Sequence, residues 1–92
     1  MKVTLSSPAR RDLTYIEKDN PARAISLVGE LHYRAKHLAE MSRAFPLVPR
    51  YERYGIRRRS HKEYGILYSV ALDRVFIHQI IGQVRTMTPP YN

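Results

Sequence analysis

The sequence contains no cysteine, and its 8 acidic residues are outnumbered by 16 lysines and arginines. The absence of cysteine excludes disulfides, thiolate nucleophiles and thiolate zinc sites, and it is consistent with a reducing cytosol. No apolar run approaches the roughly 20 residues that a membrane-spanning helix needs, and the charged start MKVTLSSPARRD has no signal-peptide core. We therefore expect a cytoplasmic protein with no membrane partner.

Motifs of the common hydrolases are also missing: there is no Gly-rich phosphate loop, nucleophile elbow or paired-carboxylate motif. The histidines have neither a zinc-like spacing nor a carboxylate cluster to complete a site, so we expect no metal and no cofactor. They are His32, His37, His61 and His78. His78 could act in acid–base work on RNA, but a strand histidine satisfied by a hydrogen bond is the simpler interpretation.

The net charge of +8 and the isoelectric point near 10.2 predict an anionic partner, either nucleic acid or an acidic protein. Most of the excess lies in residues 50–62, where six cations accompany the single acid Glu52. These cations are Arg50, Arg53, Arg57, Arg58, Arg59 and Lys62. Such a run is commonly the solvated edge of a sheet, where charge discourages aggregation. Three adjacent arginines, however, also offer bidentate donors for phosphate or carboxylate. Both interpretations stand at this point.

The first 40 residues predict one short strand and two helices. KVTLS, residues 2–6, alternates like a strand with one buried face, and Ser7 and Pro8 then predict a helix cap and a first helical position. Apolar residues recur at helical spacing as far as residue 19: Ala9, Leu13 and Ile16. Asn20 and Pro21 repeat the start signal before a seam at Ala24, Val28, Leu31, Ala35 and Leu38. The two helices should form an antiparallel hairpin.

Three strand-like runs, at 55–61, 64–72 and 74–81, follow a proline-containing loop at 45–54. The short links between them predict antiparallel hairpins. This order predicts an α+β fold, in which the helical hairpin covers one face of a mostly antiparallel four-stranded sheet and leaves the other face open. We expect a single domain over residues 1–85 and an extended tail over 86–92.

Strand alternation separates the arginine run into two sets, because successive side chains point to opposite faces of a sheet. If Ile56 points at the helices, then Arg57, Arg59 and His61 line the uncovered face; a shift of one residue reverses the assignment. Tyrosines 51, 54, 64 and 68 interleave with these cations, as in single-stranded RNA binders. For Tyr68 packing is the better interpretation, whereas Tyr51 and Tyr54 lie in the loop, where binding is more plausible.

Four segments follow one another in a characteristic order along the chain: VTLSSPARRDLTYIEKDNPARAISLVGEL, FPLVP, GIRRR and EYGILYSVALDRVFIHQII. Taken together, over roughly residues 2–85, they resemble the ParE/RelE superfamily of toxins from type II toxin–antitoxin systems. RelE-like members cleave mRNA on the ribosome, whereas ParE-like members poison DNA gyrase. The run from Asn20 to Ala24 is similar to ParE. The last strand departs from both patterns, since Gln79 stands where an arginine is common, and the loss of that guanidinium weakens the nuclease interpretation.

The resemblance therefore implies a ParE-like toxin that inhibits DNA gyrase, arrests growth and is neutralised by a cognate antitoxin, ParD-like or otherwise acidic, in a hetero-oligomer. Such a toxin is not an enzyme. The first alternative is a ribosome-dependent mRNA interferase, whose catalytic set would be Arg57, Arg59, His61, Lys62 and Arg85. The second is a non-toxic nucleic-acid-binding module or an inactive homologue. The residues expected to bind target or antitoxin are Arg50, Arg53, Tyr54, Arg57, Arg58, Arg59, Lys62 and Arg85.

Overall fold

The computed structural model describes residues 1–19 and 21–82, except for the side chains of Asp19, Arg23 and Ala24. Arg85 and the predicted tail 86–92 therefore lie outside the described residues, as does Asn20. The helices and strands are β1 (Lys2–Leu5), α1 (Ser7–Asp19), α2 (Pro21–His37), β2 (Arg57–His61), β3 (Tyr64–Ala71) and β4 (Arg74–Gly82). The predicted α+β fold, with two helices on a four-stranded sheet, is confirmed.

The sheet has the strand order β1-β4-β3-β2. Strands β2, β3 and β4 form an antiparallel meander, whereas β1 runs parallel to β4, with Lys2 opposite Arg74. The sheet is therefore mixed, although mostly antiparallel as predicted. The two hairpin turns hold Lys62 and Leu72 at positive φ, 55° and 56°. Such tight turns between neighbouring strands require this backbone region.

Helix α1 begins one residue earlier than the sequence predicts. The cap is Ser6 and not Ser7, since the Oγ of Ser6 accepts a hydrogen bond from the backbone N–H of Ala9 at 3.1 Å. The same hydroxyl donates to the carbonyl of His78 at 2.8 Å, and Asp12 accepts from the N–H of Ile80 at 2.9 Å. The start of α1 thus bonds the part of β4 that extends beyond the end of β1.

The main core lies between the helices and the inner face of the sheet, which we define as the face toward the helices. The predicted apolar residues of α1, Ala9, Leu13 and Ile16, are buried there. In α2 the most buried side chains are Leu27, Leu31, Ala35 and Leu38, while Val28 is only partly buried. In this turn of α2 the buried residue is Leu27 and not the predicted Val28, whereas Leu31, Ala35 and Leu38 are buried as predicted. The first predicted position, Ala24, lies outside the described side chains. Each fully buried leucine contributes about 2 kcal/mol.

The outer face of the sheet, which points away from the helices, was predicted to be open but is partly covered. Ile56, Leu67 and Ile81 form a second small cluster there, and Val48 and Tyr51 of the loop pack against it. Backbone bonds hold this loop in place, from Val48 N–H to the Ile56 carbonyl at 2.8 Å and from Arg58 N–H to the Pro46 carbonyl at 3.0 Å. The loop therefore covers the outer face near β2.

A β-bulge interrupts the pairing of β3 with β4. Tyr68 lies opposite Ile77 and Leu67 lies opposite Gln79, so His78 is an extra residue. Because of this insertion, both His78 and Gln79 lie on the outer side, and Ile80 returns to the core.

Candidate binding site on the arginine strand

The register of β2 decides which cations face the helices. Arg57, Arg59 and His61 lie opposite Tyr68, Ile66 and Tyr64, all of which belong to the main core or pack on it. Ile56 points to the outer face instead. The arrangement that would place Arg57, Arg59 and His61 on the uncovered face is therefore wrong, because Ile56 has a second apolar cluster to fill and does not need the helices.

Arg57 fastens the segment that follows α2. Its guanidinium donates to the carbonyl of Phe45 at 2.7 Å and, more weakly, to that of Arg43 at 3.5 Å. Tyr68, fully buried, donates its hydroxyl to the Ser42 carbonyl at 2.7 Å, and burial raises the pKa of this phenol. Tyr68 is therefore a packing residue, as the sequence favours. Both side chains satisfy backbone acceptors in a segment with no helix or strand to do so.

Arg59 caps the carboxyl end of α2. The last turn of the helix tightens, because Leu38 N–H bonds the Ala35 carbonyl, and the carbonyl of Arg34 instead accepts from the Arg59 guanidinium at 3.1 Å. The same guanidinium lies 4.8 Å from the centre of the Phe45 ring. Burial, with a smaller contribution from the Arg34 charge, lowers the pKa of Arg59. A cation at this end of a helix also complements the helix dipole.

His61 and Lys62 meet one carboxylate. Glu30 Oε1 lies 2.7 Å from His61 Nε2 and 3.0 Å from Lys62 Nζ, and Ser26 donates to the other oxygen at 3.2 Å. The hydrogen bonds from His61 and Lys62 lower the pKa of Glu30 to about 2. We call Glu30, His61 and Lys62 the clasp, because they join the middle of α2 to the β2–β3 turn.

Arg58 has the opposite orientation. It lies on the outer face, where its Nε donates to the Ser60 hydroxyl at 3.3 Å. Its guanidinium covers Gly65, since a Cβ at that glycine would lie only 2.5 Å from the Arg58 Cζ. No backbone carbonyl of the described residues accepts from Arg58. Its planar donors are therefore available to an anionic ligand.

The loop supplies a second exposed basic group. Arg53 donates to the Tyr54 hydroxyl at 2.9 Å and lies 5.0 Å from the centre of the Tyr54 ring, while Arg50 is exposed at φ 75°. Tyr51 lies beside Tyr54, with ring centres 6.4 Å apart, and packs on the outer apolar cluster. The loop thus presents cations and one partly exposed aromatic ring on a fixed base.

The predicted binding residues consequently do not form one patch. Arg50, Arg53, Tyr54 and Arg58 are at least partly exposed on the loop and outer face. Lys62 belongs to the clasp, and Arg57 and Arg59 bond backbone carbonyls on the inner face. Glu30, the acid that neutralises the end of the run, was not among the residues predicted from the sequence. Its signal would have been a lone carboxylate on the predicted second helix, which is otherwise basic toward its end.

The pairing of His78 with Ser69 was not predicted either. His78 Nε2 and Ser69 Oγ lie 2.7 Å apart on the outer face. This bond is the structural role that the simpler interpretation of His78 predicts. The spacing of the buried residues Val75, Ile77 and Ile80 carries the signal, because a step of three in a strand indicates a bulge.

No three His, Asp or Glu side chains within residues 1–19 and 21–82 are grouped as metal ligands would be. In the same part of the chain, neither helix has the length and hydropathy that crossing a bilayer requires.

The chain is similar to known proteins both in sequence and in fold. The sequence model of a family described as "ParE toxin of type II toxin-antitoxin system, parDE" matches residues 3–86. A solved structure titled "Chromosomal ParDE TA system from P. aeruginosa" superposes with a TM-score of 0.74 at 18% sequence identity, covering 89% of this chain and 95% of that one. No curated protein sequence matches the chain.

Proposed function

The chain belongs to the ParE toxin family of type II toxin–antitoxin systems, and from this membership we propose that it arrests bacterial growth by inhibiting DNA gyrase in the cytoplasm. A cognate antitoxin, acidic in character, neutralises it in a hetero-oligomeric complex. The exposed cations of the loop and outer face, Arg50, Arg53 and Arg58, contact the target or the antitoxin.

One observation carries the choice of gyrase over mRNA cleavage: four of the five residues that a nuclease would use are already engaged within the protein, and the fifth, Arg85, lies outside the described residues. Arg57 and Arg59 donate to backbone carbonyls, and His61 and Lys62 share Glu30. Phosphoryl transfer requires such groups to face the scissile phosphate with an acid or base in hydrogen-bond reach. Their engagement therefore supports binding as the mode of action and removes most of the catalytic set that a RelE-like enzyme would use.

The deciding experiment pairs a gyrase supercoiling assay with an mRNA cleavage assay on translating ribosomes. We expect the purified protein to inhibit supercoiling, to accumulate cleaved DNA and to leave mRNA intact. Arg58→Ala should raise the concentration for half-maximal inhibition about tenfold, as the loss of one charge-assisted hydrogen bond predicts. Arg11→Ala, which removes an exposed cation from α1, is the matched control. Cleavage of mRNA in the ribosomal A site would overturn the choice.

The antitoxin has a candidate docking surface on the solvent side of α2. Ile25 is 91% exposed and Tyr33 is 62% exposed, and they lie on one stripe with Gly29, where a Cβ would meet no atom within 4 Å. Exposed apolar side chains aligned at this spacing suit an added amphipathic helix. The net charge of +8 favours an acidic partner and speeds its association.

Two measurements test the antitoxin proposal. Expression of the chain alone should stop growth, and coexpression of the protein encoded beside it should restore growth. Ile25→Asp should weaken the purified complex at least tenfold, because a charge replaces an apolar anchor. Glu17→Asp on α1 leaves charge and exposure nearly unchanged and serves as control. Healthy growth at full soluble expression would contradict the toxin activity, whereas unchanged affinity of Ile25→Asp would contradict only the surface.

A further inference from the structure

A second cationic group lies on the outer face, at the side of the sheet away from the arginine strand. Lys2 of β1 and Arg74 of β4 are neighbours in register, and their side chains lie on the outer face because Val3 and Val75 belong to the core side. Within residues 1–19 and 21–82, neither Lys2 nor Arg74 forms an ion pair. Two adjacent cations without a counterion attract a polyanion.

An aromatic ring lies next to these cations. Phe76 is two residues along β4 from Arg74, is partly exposed, and has the Arg74 guanidinium 5.9 Å from its ring centre. The neighbouring strand places the small side chain of Thr4 beside it. The ring can therefore be approached from the solvent without displacing a bulky residue on that side.

The bulge in β4 brings hydrogen-bonding groups to the same region. Ser69 lies opposite Phe76 on β3, and the extra residue His78 turns outward to reach the Ser69 hydroxyl at 2.7 Å. Burial lowers the pKa of His78, which favours the neutral imidazole. The region thus combines two cations, a ring and a neutral polar pair on three adjacent strands. Bulges often redirect a side chain in this way beside functional sites.

We propose that this surface, formed by Lys2, Ser69, Arg74, Phe76 and His78, binds single-stranded nucleic acid. Lys2 and Arg74 contact phosphates, a base stacks on Phe76, and the Ser69 hydroxyl, positioned by His78, offers a hydrogen bond to the base edge. Cations interleaved with an aromatic ring on a sheet are the combination that single-stranded binding uses. An acidic protein would use the two cations but would leave the ring without a matching partner. This inference is independent of gyrase inhibition.

The chain has no tryptophan, so Phe76→Trp introduces a specific reporter at the site. When this variant is excited at 295 nm, a 12-nucleotide oligothymidylate and an oligouridylate should each quench the tryptophan fluorescence. The affinity measured in this way should fall with salt, and the slope of log affinity against log salt reports the number of phosphate contacts. In fluorescence anisotropy with labelled oligothymidylate, Phe76→Leu should lose about tenfold in affinity, the effect of removing one stacked base.

The double variant Lys2→Gln/Arg74→Gln should flatten the salt slope by about 1.4, or about 0.7 for each phosphate contact on a single strand. The control Arg11→Gln/Lys18→Gln removes the same charge from exposed positions of α1 and should leave the slope nearly unchanged. Circular dichroism verifies folding of every variant.

Three results would overturn the proposal. One is the absence of quenching in Phe76→Trp at low salt. Another is an equal change of slope in the control pair, which would attribute binding to net charge alone. The third is equally strong displacement of the oligonucleotide by polyglutamate, which would assign the surface to an acidic protein.

Discussion

Arg58 and Arg59 are adjacent in the sequence and identical in chemistry, but they have opposite roles. Arg59 points to the helices, where it caps α2 and lies over the Phe45 ring. Arg58 points outward and covers Gly65, leaving its donors available to a ligand. The pleat of the strand makes this division, since it sends alternate side chains to opposite faces. In a cationic run on a strand, some side chains therefore stabilise the fold while their neighbours face the solvent.

The sharpest way to test this division is to truncate each arginine separately. Arg59→Ala should lower the free energy of unfolding by about 3 kcal/mol, because it leaves the Arg34 carbonyl without its charged donor and removes the contact with Phe45. Arg58→Ala should cost less than about 0.5 kcal/mol, because this partly exposed side chain bonds only the Ser60 hydroxyl and surface substitutions of this kind have small effects. Urea unfolding followed by circular dichroism measures both. Equal losses would refute the division.

A smaller effect is expected from the clasp, which extends the inner set to His61 and Lys62. Because contacts lower the pKa of Glu30 to about 2 in the folded protein, its contribution is present above pH 4.5 and disappears as the pH falls toward 2. Glu30→Gln should therefore unfold more easily than the parent at pH 7, with a difference that shrinks through this acid range. The control Glu17→Gln should retain the parental pH dependence, and a parallel profile for Glu30→Gln would contradict the clasp.

The smallest effect concerns the outer side of the comparison. Gly65→Ala places a Cβ against the Arg58 guanidinium, which is the mobile end of a long side chain and can move away. We expect a loss below about 1 kcal/mol, and none when Arg58→Ala is also present. A double-mutant cycle by urea unfolding measures the coupling. A large loss that persists without Arg58 would mean that the backbone, and not the guanidinium, fills the space above Gly65.

Periodicity predicted most of the architecture, because apolar spacing reports the secondary structure directly. The helices, the meander and the core positions Leu13 and Leu31 follow from it. The orientation of β2 did not follow, since Ile56 can be buried on either face. The face on which Ile56 is buried depends on its contacts with Val48 and Tyr51, which lie in a loop without a periodic pattern. For this reason the sequence predicted which residues carry the positive charge, but not that they lie on two opposite faces of the sheet.

The clasp and the bulge were also beyond local patterns. Glu30 and His61 are 31 residues apart, and only the packing of α2 against the meander brings them together. The outward turn of His78 depends on the pairing of β4 with β3, where one extra residue enters the ladder. Both features belong to tertiary structure and have only weak local signals.

The bonds from Ser6 and Asp12 to β4 have a consequence for the order of assembly. The β2–β3–β4 meander joins near neighbours in the chain, whereas Lys2 must find Arg74, so we expect the meander to form first and β1 to dock later. During that interval the edge of β4 exposes unpaired N–H and C=O groups that can bond a strand of another molecule. Arrival of α1 occupies the N–H of Ile80 and the carbonyl of His78. The amino-terminal segment, which docks late, thus protects the edge of β4 from pairing with the sheet of another molecule.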